Sequence, residues 1–204
     1  MITLNANGIR SAARRGFFAW AATRDADVIC LQETRAQEHQ LPPEASALAG
    51  YTGYFADARR RGYSGVAIYS RLEPVSVRRT LGWEDMDAEG RFIAADFGSV
   101  SVSSLYVPSG ISGAARQAFK MDFLERLLAV LTSLRHSGQS QIVCGDLNIA
   151  HKLPDTYNPT RNALITGFLP EERAWLDTLV EKVGWVDAFR LVNREAKQYT
   201  WWSN

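Results

Sequence analysis

Three polar clusters in this sequence place carboxylates or amides where a buried segment should end. The first is Gly145-Asp146-Leu147-Asn148, which follows the run 141–144. In an extended chain alternate side chains share a face, so Asp146 and Asn148 would stand on one side about 7 Å apart, able to address one phosphate or one metal ion. Gly, Asp and Asn are also ordinary turn formers, and a plain strand end accounts for the tetrapeptide as well. The second cluster is Gln32-Glu33, which closes the largely apolar run 27–33. A hard oxygen ligand there suits Mg²⁺, which is usually held by one or two carboxylates together with phosphate oxygens of its substrate. An exposed Glu33 paired with Arg35 is the competing reading. The third is Asn5-Ala6-Asn7-Gly8, two amides on one side of a first strand just before a turn.

Such groups act only if strands and helices hold them. Short runs rich in β-branched residues at 1–4, 27–31, 65–69, 92–97, 100–107 and 142–147 are the expected strands. Phe119, Phe123, Leu127, Leu131 and Leu134 form an apolar stripe at helical spacing, closed by His136 and Gly138 as a basic last turn and a glycine stop. A second helix should start at Pro170-Glu171-Glu172, bury Trp175, Leu176, Leu179 and Val183, and stop at Gly184. Ser11 is the expected cap of a third, which carries Phe17, Phe18 and Trp20. The chain thus begins as strand, helix, strand, and residues 114–147 again run from a helix into a strand ending in a carboxylate. Two similar halves predict an α/β fold of two packed sheets with helices outside. Residues 151–167 form a long polar connection carrying Pro154 and Pro159, a length more often functional than not.

Composition narrows the classes of partner. With 204 residues, 46% apolar and 22% charged, the chain suits one globular domain with a sizeable core. A net charge of +1, from 23 basic and 22 acidic residues, exerts no global pull on a polyanion, so any nucleic-acid surface must be local. Cys30 and Cys144 lie in apolar runs without metal-ligand spacing and read as buried thiols of a reducing compartment. The start MITLNANGIR has no signal-peptide core and no later segment approaches a membrane span, which points to a cytoplasmic protein with no membrane partner.

Together the clusters resemble one known pattern. Asn5-Ala6-Asn7-Gly8-Ile9-Arg10, Leu31-Gln32-Glu33-Thr34-Arg35, Ser64-Gly65-Val66-Ala67, Gly90-Arg91-Phe92-Ile93, Gly145-Asp146-Leu147-Asn148, Phe168-Leu169-Pro170-Glu171-Glu172-Arg173 and Val186-Asp187-Ala188-Phe189-Arg190 occur in the order seen in exonuclease III and the related abasic (AP) endonucleases. The resemblance covers the whole chain. It implies a four-layer α/β sandwich, two packed mixed β-sheets flanked by helices, with the active site at the top of both sheets. Residues 1–204 would then be one such domain, incomplete at its C-terminus and lacking the last strands. The implied activity is a Mg²⁺-dependent phosphodiesterase, with Mn²⁺ as an alternative ion, acting as a monomer on duplex DNA at abasic sites and 3′ ends.

Carried over position by position, the resemblance makes Glu33 the principal metal ligand, with Asn5 beside it. Asp146 corresponds to the carboxylate that orients or deprotonates the attacking water, Asn148 to the holder of a non-bridging phosphate oxygen, and Tyr106 to a tyrosine on the scissile phosphate. Asn7, Arg10 and Arg91 fall on the DNA side, and Trp201 aligns with an aromatic that lines the pocket for a flipped-out abasic sugar. Arg59, Arg60 and Arg61 add a basic run that would follow the phosphate backbone, unless it is simply a solvated loop.

The family's remaining catalytic elements, an Asp after the last helix and an Asp-His pair, lie beyond Tyr199-Thr200-Trp201-Trp202-Ser203-Asn204, and His39, His136 and His151 match none of them by motif. The 204-residue chain is therefore expected to be marginally soluble, with an unpaired sheet edge and little incision activity, and a chain extended through a Ser-Asp-His-like segment to be active. Two other readings stay open. One is a metal-dependent phosphoesterase of the same fold acting on a lipid headgroup or inositol phosphate; the other is a non-catalytic DNA-binding module.

Overall fold

The computed structural model describes residues 1–201, and Trp202, Ser203 and Asn204 lie outside the described residues. The described chain falls into two compact units, one of Met1–Val107 with Gln139–Asp146, the other of Pro108–Gly138 with the residues from Leu147 onward.

Both sheets belong to the first unit. β1 (Ile2–Asn5), β2 (Val28–Gln32), β3 (Thr52–Ala56) and β4 (Val66–Ser70) form one, in the order β1-β2-β4-β3. β5 (Ser76–Arg78), β6 (Phe92–Asp96), β7 (Val100–Tyr106) and β8 (Ser140–Asp146) form the other, in sequence order. Each sheet is mixed, because β1 runs parallel to β2 and β7 parallel to β8 while the remaining neighbours are antiparallel. The run 27–33 is apolar at successive positions because β2 is covered on both faces. On one face Val28 and Cys30, with Val66 and Ile68 of β4, join Ile93, Ala95 and Val102 of the second sheet in a core between the sheets. On the other, Ile29, Leu31, Ala67 and Tyr69 pack with Ile9 of α1 (Ile9–Arg14), Phe18 and Ala21 of α2 (Phe17–Ala22) and Ala45 of α3 (Pro43–Ser46). Each large side chain buried in this way contributes about 1.5–3 kcal/mol.

One polar pin crosses the inter-sheet core. Gln32 Nε2 donates to Ser104 Oγ at 2.9 Å, and Ser104 Oγ donates to the Leu31 carbonyl at 2.9 Å. Both side chains are buried, and an unpaired polar group there would cost about 1–3 kcal/mol, so the pin sets the end of β2 against β7. A short helix, α4 (Glu84–Asp87), completes the first unit. β1 and β8 are the outer strands at one end of the two orders, and Leu4 and Ile142 on them are 37% and 39% exposed.

Three local expectations are corrected. Ser11 does not cap a helix: α1 starts directly after Gly8, so Ser11 lies inside it, and Gly16 in the left-handed region separates α1 from α2. β3 and β5 are strands that pattern reading passes over. β3 begins Thr-Gly, and β5 has three residues on a sheet edge with little side-chain burial, so neither needs an apolar run.

In the second unit the apolar stripe 119–134 lies in α5 (Ala114–Arg135), which runs longer than the stripe alone requires. Within 151–167 the chain forms a 3-10 turn at Leu153–Asp155 and α6 (Pro159–Asn162). The helix expected from Pro170 begins there as α7 (Pro170–Asp177), widens into a π-helical turn at Thr178–Val183 and stops at Gly184 in the left-handed region. Trp175 Nε1 donates to the Leu124 carbonyl of α5 at 2.7 Å and Trp185 Nε1 to that of Leu131 at 3.1 Å, so two indoles anchor this stretch to α5. α8 (Ala188–Val192) follows, capped by Asp187.

Candidate active site

The carboxyl ends of the two parallel pairs carry the predicted residues of the first unit. Asn5 pairs in register with Gln32 at the ends of β1 and β2, and Tyr106 with Asp146 at the ends of β7 and β8. Adjacent strands lie about 4.8 Å apart, so register alone makes Tyr106 and Asp146 neighbours. Gly145 permits the approach, since a Cβ there would stand 2.1 Å from the Leu105 carbonyl oxygen.

Asn5 links the sheets at these ends. Its Nδ2 donates to Asp146 Oδ2 at 2.7 Å, and its Oδ1 accepts the Asn7 N–H at 2.9 Å. Asn7 therefore closes the turn after β1 with φ of 44°, and its side chain is exposed. Glu33, one residue beyond β2, has φ of 57°. An L residue with a Cβ is strained in this region, more so for Glu than for Asn, and such strain persists only where surroundings impose it. Here they do: the Glu33 carbonyl accepts Gly8 N–H at 2.8 Å and the flanking Thr34 N–H donates to Gly65 at 3.1 Å. The Glu33 carboxylate accepts Arg35 Nε at 2.9 Å and also contacts Arg35 Nη2. The pair with Arg35 is therefore present, with the Glu33 side chain 14% exposed just past the end of the buried strand.

Tyr106 stands between these charges. Burial, then the negative charge of Glu33 and to a lesser degree of Asp146, push its phenol up to about 12 against the opposing pull of Arg91. The hydroxyl is therefore protonated at neutral pH. Arg91, expected on the DNA side, is 3% exposed. Its guanidinium stacks 4.7 Å from the Tyr106 ring centre, donates to the Tyr106 carbonyl at 3.0 Å and to Tyr63 Oη at 3.2 Å, and pairs with Glu89 at 2.6 Å. As placed, Arg91 frames Tyr106 rather than adding to the exposed basic surface, because three partners take up its fork. Tyr63 and Glu89 carry no motif that would have singled them out, whereas Arg35 closes the block 31–35 and is expected beside Glu33.

Basic side chains lie around this end of the first unit. Arg10, Arg14 and Arg35, with Gly8, Ser11 and Gly62, line a cavity of about 280 Å³. Arg59, Arg60 and Arg61 are exposed, with Arg60 over the Tyr63 ring at 5.4 Å. Among the described residues, no three His, Cys, Asp or Glu side chains are grouped so as to cage a metal by themselves. Mg²⁺ needs no such cage, since it takes one or two carboxylates and completes its shell from water and phosphate.

Asn148 belongs to the second unit. β8 stops at Asp146, and Asn148 takes φ of 50°, so strand alternation does not carry past Asp146 as the extended-chain reading required. His151 Nε2 meets Asp177 Oδ1 at 2.7 Å, where Lys152 first and His151 next hold the Asp177 carboxyl below its usual range. Trp201, the last described residue, is assigned to no strand and is 76% exposed.

The endonuclease/exonuclease/phosphatase family profile matches residues 2–204. The exodeoxyribonuclease of Bacillus subtilis is 38% identical over 207 residues, covering 100% of this chain and 79% of the relative. The DNA repair nuclease APEX1 of Danio rerio is 35% identical, covering 98% of this chain and 64% of its own length. An AP endonuclease structure from Archaeoglobus fulgidus superposes with a TM-score of 0.88 at 29% identity, covering 99% of this chain and 77% of the other.

Proposed function

The chain belongs to the endonuclease/exonuclease/phosphatase family, as an enzyme of the exodeoxyribonuclease and AP endonuclease kind, and we propose that it hydrolyses phosphodiesters of duplex DNA at abasic sites and 3′ ends with Mg²⁺. The observation that carries this reading is the junction of Asn5, Asp146 and Tyr106 at the strand ends, with Glu33 near enough to perturb the same phenol. Phosphodiester hydrolysis needs charge neutralisation, a positioned water and donors aimed at the developing oxyanion. Bound at Glu33 and Asn5, Mg²⁺ would supply the first. Asp146, oriented by the Asn5 amide, accepts the proton of the attacking water or fixes its direction. Tyr106 donates its phenolic proton in a hydrogen bond to a phosphate oxygen, and Asn148 donates its side-chain amide to a non-bridging one. The exposed arginines follow the flanking backbone.

The test is a duplex with one abasic site, incubated with the protein in Mg²⁺ or in EDTA. Incision in Mg²⁺ alone supports the reading. Binding without incision in either condition favours a DNA-binding module, and incision in EDTA removes the metal. The basic loop has its own test: replacing Arg59, Arg60 and Arg61 by Ala should flatten the slope of log affinity against log salt by about 1 to 3, close to one unit for each arginine that neutralises a phosphate. An unchanged slope would leave 59–61 as a solvated loop.

A further inference from the structure

We infer that Lys120 and Glu172 form a buried positioning device for Asn148, acting through its backbone; the inference rests on the proposed assignment of Asn148 to a phosphate oxygen. Lys120 on α5 and Glu172 on α7 are both 0% exposed, and their charged atoms meet at 2.6 Å. Such a pair repays its desolvation only where the remaining lone pairs and protons are also satisfied. Glu172 meets that condition. Its Oε1 also accepts Gln117 Nε2 at 3.1 Å and Thr166 Oγ1 at 3.3 Å, and its Oε2 accepts the N–H groups of Gly167 at 2.7 Å and Leu169 at 3.0 Å. A neutral glutamine would serve those backbone donors too.

What needs the ammonium lies on the other side of Lys120. Its Nζ donates to the Asn148 carbonyl oxygen at 2.8 Å. The same peptide is approached by Gly167, where a Cβ would stand 3.3 Å from that oxygen and where φ is +95°. The Gly167 carbonyl then accepts the Ala150 N–H at 2.7 Å. Asn148, in its left-handed conformation, is thus tied through its carbonyl to α5, and the chain two residues on is tied to Gly167, the kind of surroundings a residue in that region requires. Well-packed apolar residues of similar volume commonly match or exceed a buried ion pair in stability, but they could not donate to this carbonyl. The orientation of the peptide sets the direction in which the Asn148 amide leaves the backbone.

Lys120→Met alone strands a buried carboxylate and should lower the melting temperature. The double change Lys120→Met/Glu172→Gln removes both charges and keeps an acceptor for Gly167 and Leu169, so the native circular dichroism should persist. The readout is affinity for a duplex with one abasic site, measured in EDTA so that cleavage does not intervene. Asn148→Ala should weaken binding about tenfold, the scale of one hydrogen bond to a charged group. The double change should cost a similar factor, add nothing when combined with Asn148→Ala, and be absent in Lys120→Arg, which keeps a donor. Loss from Asn148→Ala without loss from the folded double change overturns the inference and leaves the assignment of Asn148 standing; additive losses also overturn it. No loss from Asn148→Ala overturns the assignment, and the inference with it.

Discussion

Asp146→Asn is expected to lower turnover at an abasic site by at least roughly 10²-fold, the scale of lost general-base help, while abasic DNA still binds. The substitution is nearly isosteric, and an asparagine oxygen can still accept the Asn5 Nδ2 proton that Asp146 Oδ2 accepts at 2.7 Å. Folding and the turn after β1 should therefore survive. What disappears is the charge that takes or directs the water's proton. Removing a negative group beside a phosphate gives no reason for weaker binding. Parallel measurement of single-turnover incision and of affinity in a form of the protein that incises separates the two effects, and unsubstituted rates in the variant would remove Asp146 from the chemistry.

Glu33→Ala should be of comparable size but differ in signature. Lewis-acid stabilisation is worth several kcal/mol, so losing the principal ligand should cost roughly 10²-fold or more at ordinary Mg²⁺. The Mg²⁺ titration curve should move to higher concentration, which Asp146→Asn has no such reason to do. Stability should change little. Alanine at φ of 57° is strained much as glutamate is, and the lost pair with Arg35 is partly exposed, at 46% for the arginine side chain, where such pairs are worth about 0–1 kcal/mol. A titration curve superposable on that of the unsubstituted protein would show that Glu33 is no metal ligand. If instead the melting temperature collapses, the residue's work is to close the turn after β2.

The sequence by itself determined the pieces with strong local patterns. The runs that become β2, β4 and β6 are largely apolar at successive positions because the strands are covered on both faces, and that requirement is visible in a single chain segment, whereas β7 is buried although serines interrupt its valines. α5 is legible for the same reason, since its stripe repeats every three or four residues, and so are the acids and amides placed where buried runs stop. Only the tertiary structure decided how those ends meet. Asn5 and Asp146 are 141 residues apart, and their hydrogen bond depends on two parallel registers and on Gln32 reaching Ser104 across the inter-sheet core. No local pattern distinguishes an exposed arginine from Arg91, whose burial follows from Tyr63, Glu89 and Tyr106 converging on one guanidinium. Nor does spacing tell that Lys120, on the apolar stripe's helix, lies buried against Glu172 rather than in solvent. Periodicity reports which side of an element avoids water, whereas a polar side chain's role is set by partners that distant parts of the chain deliver.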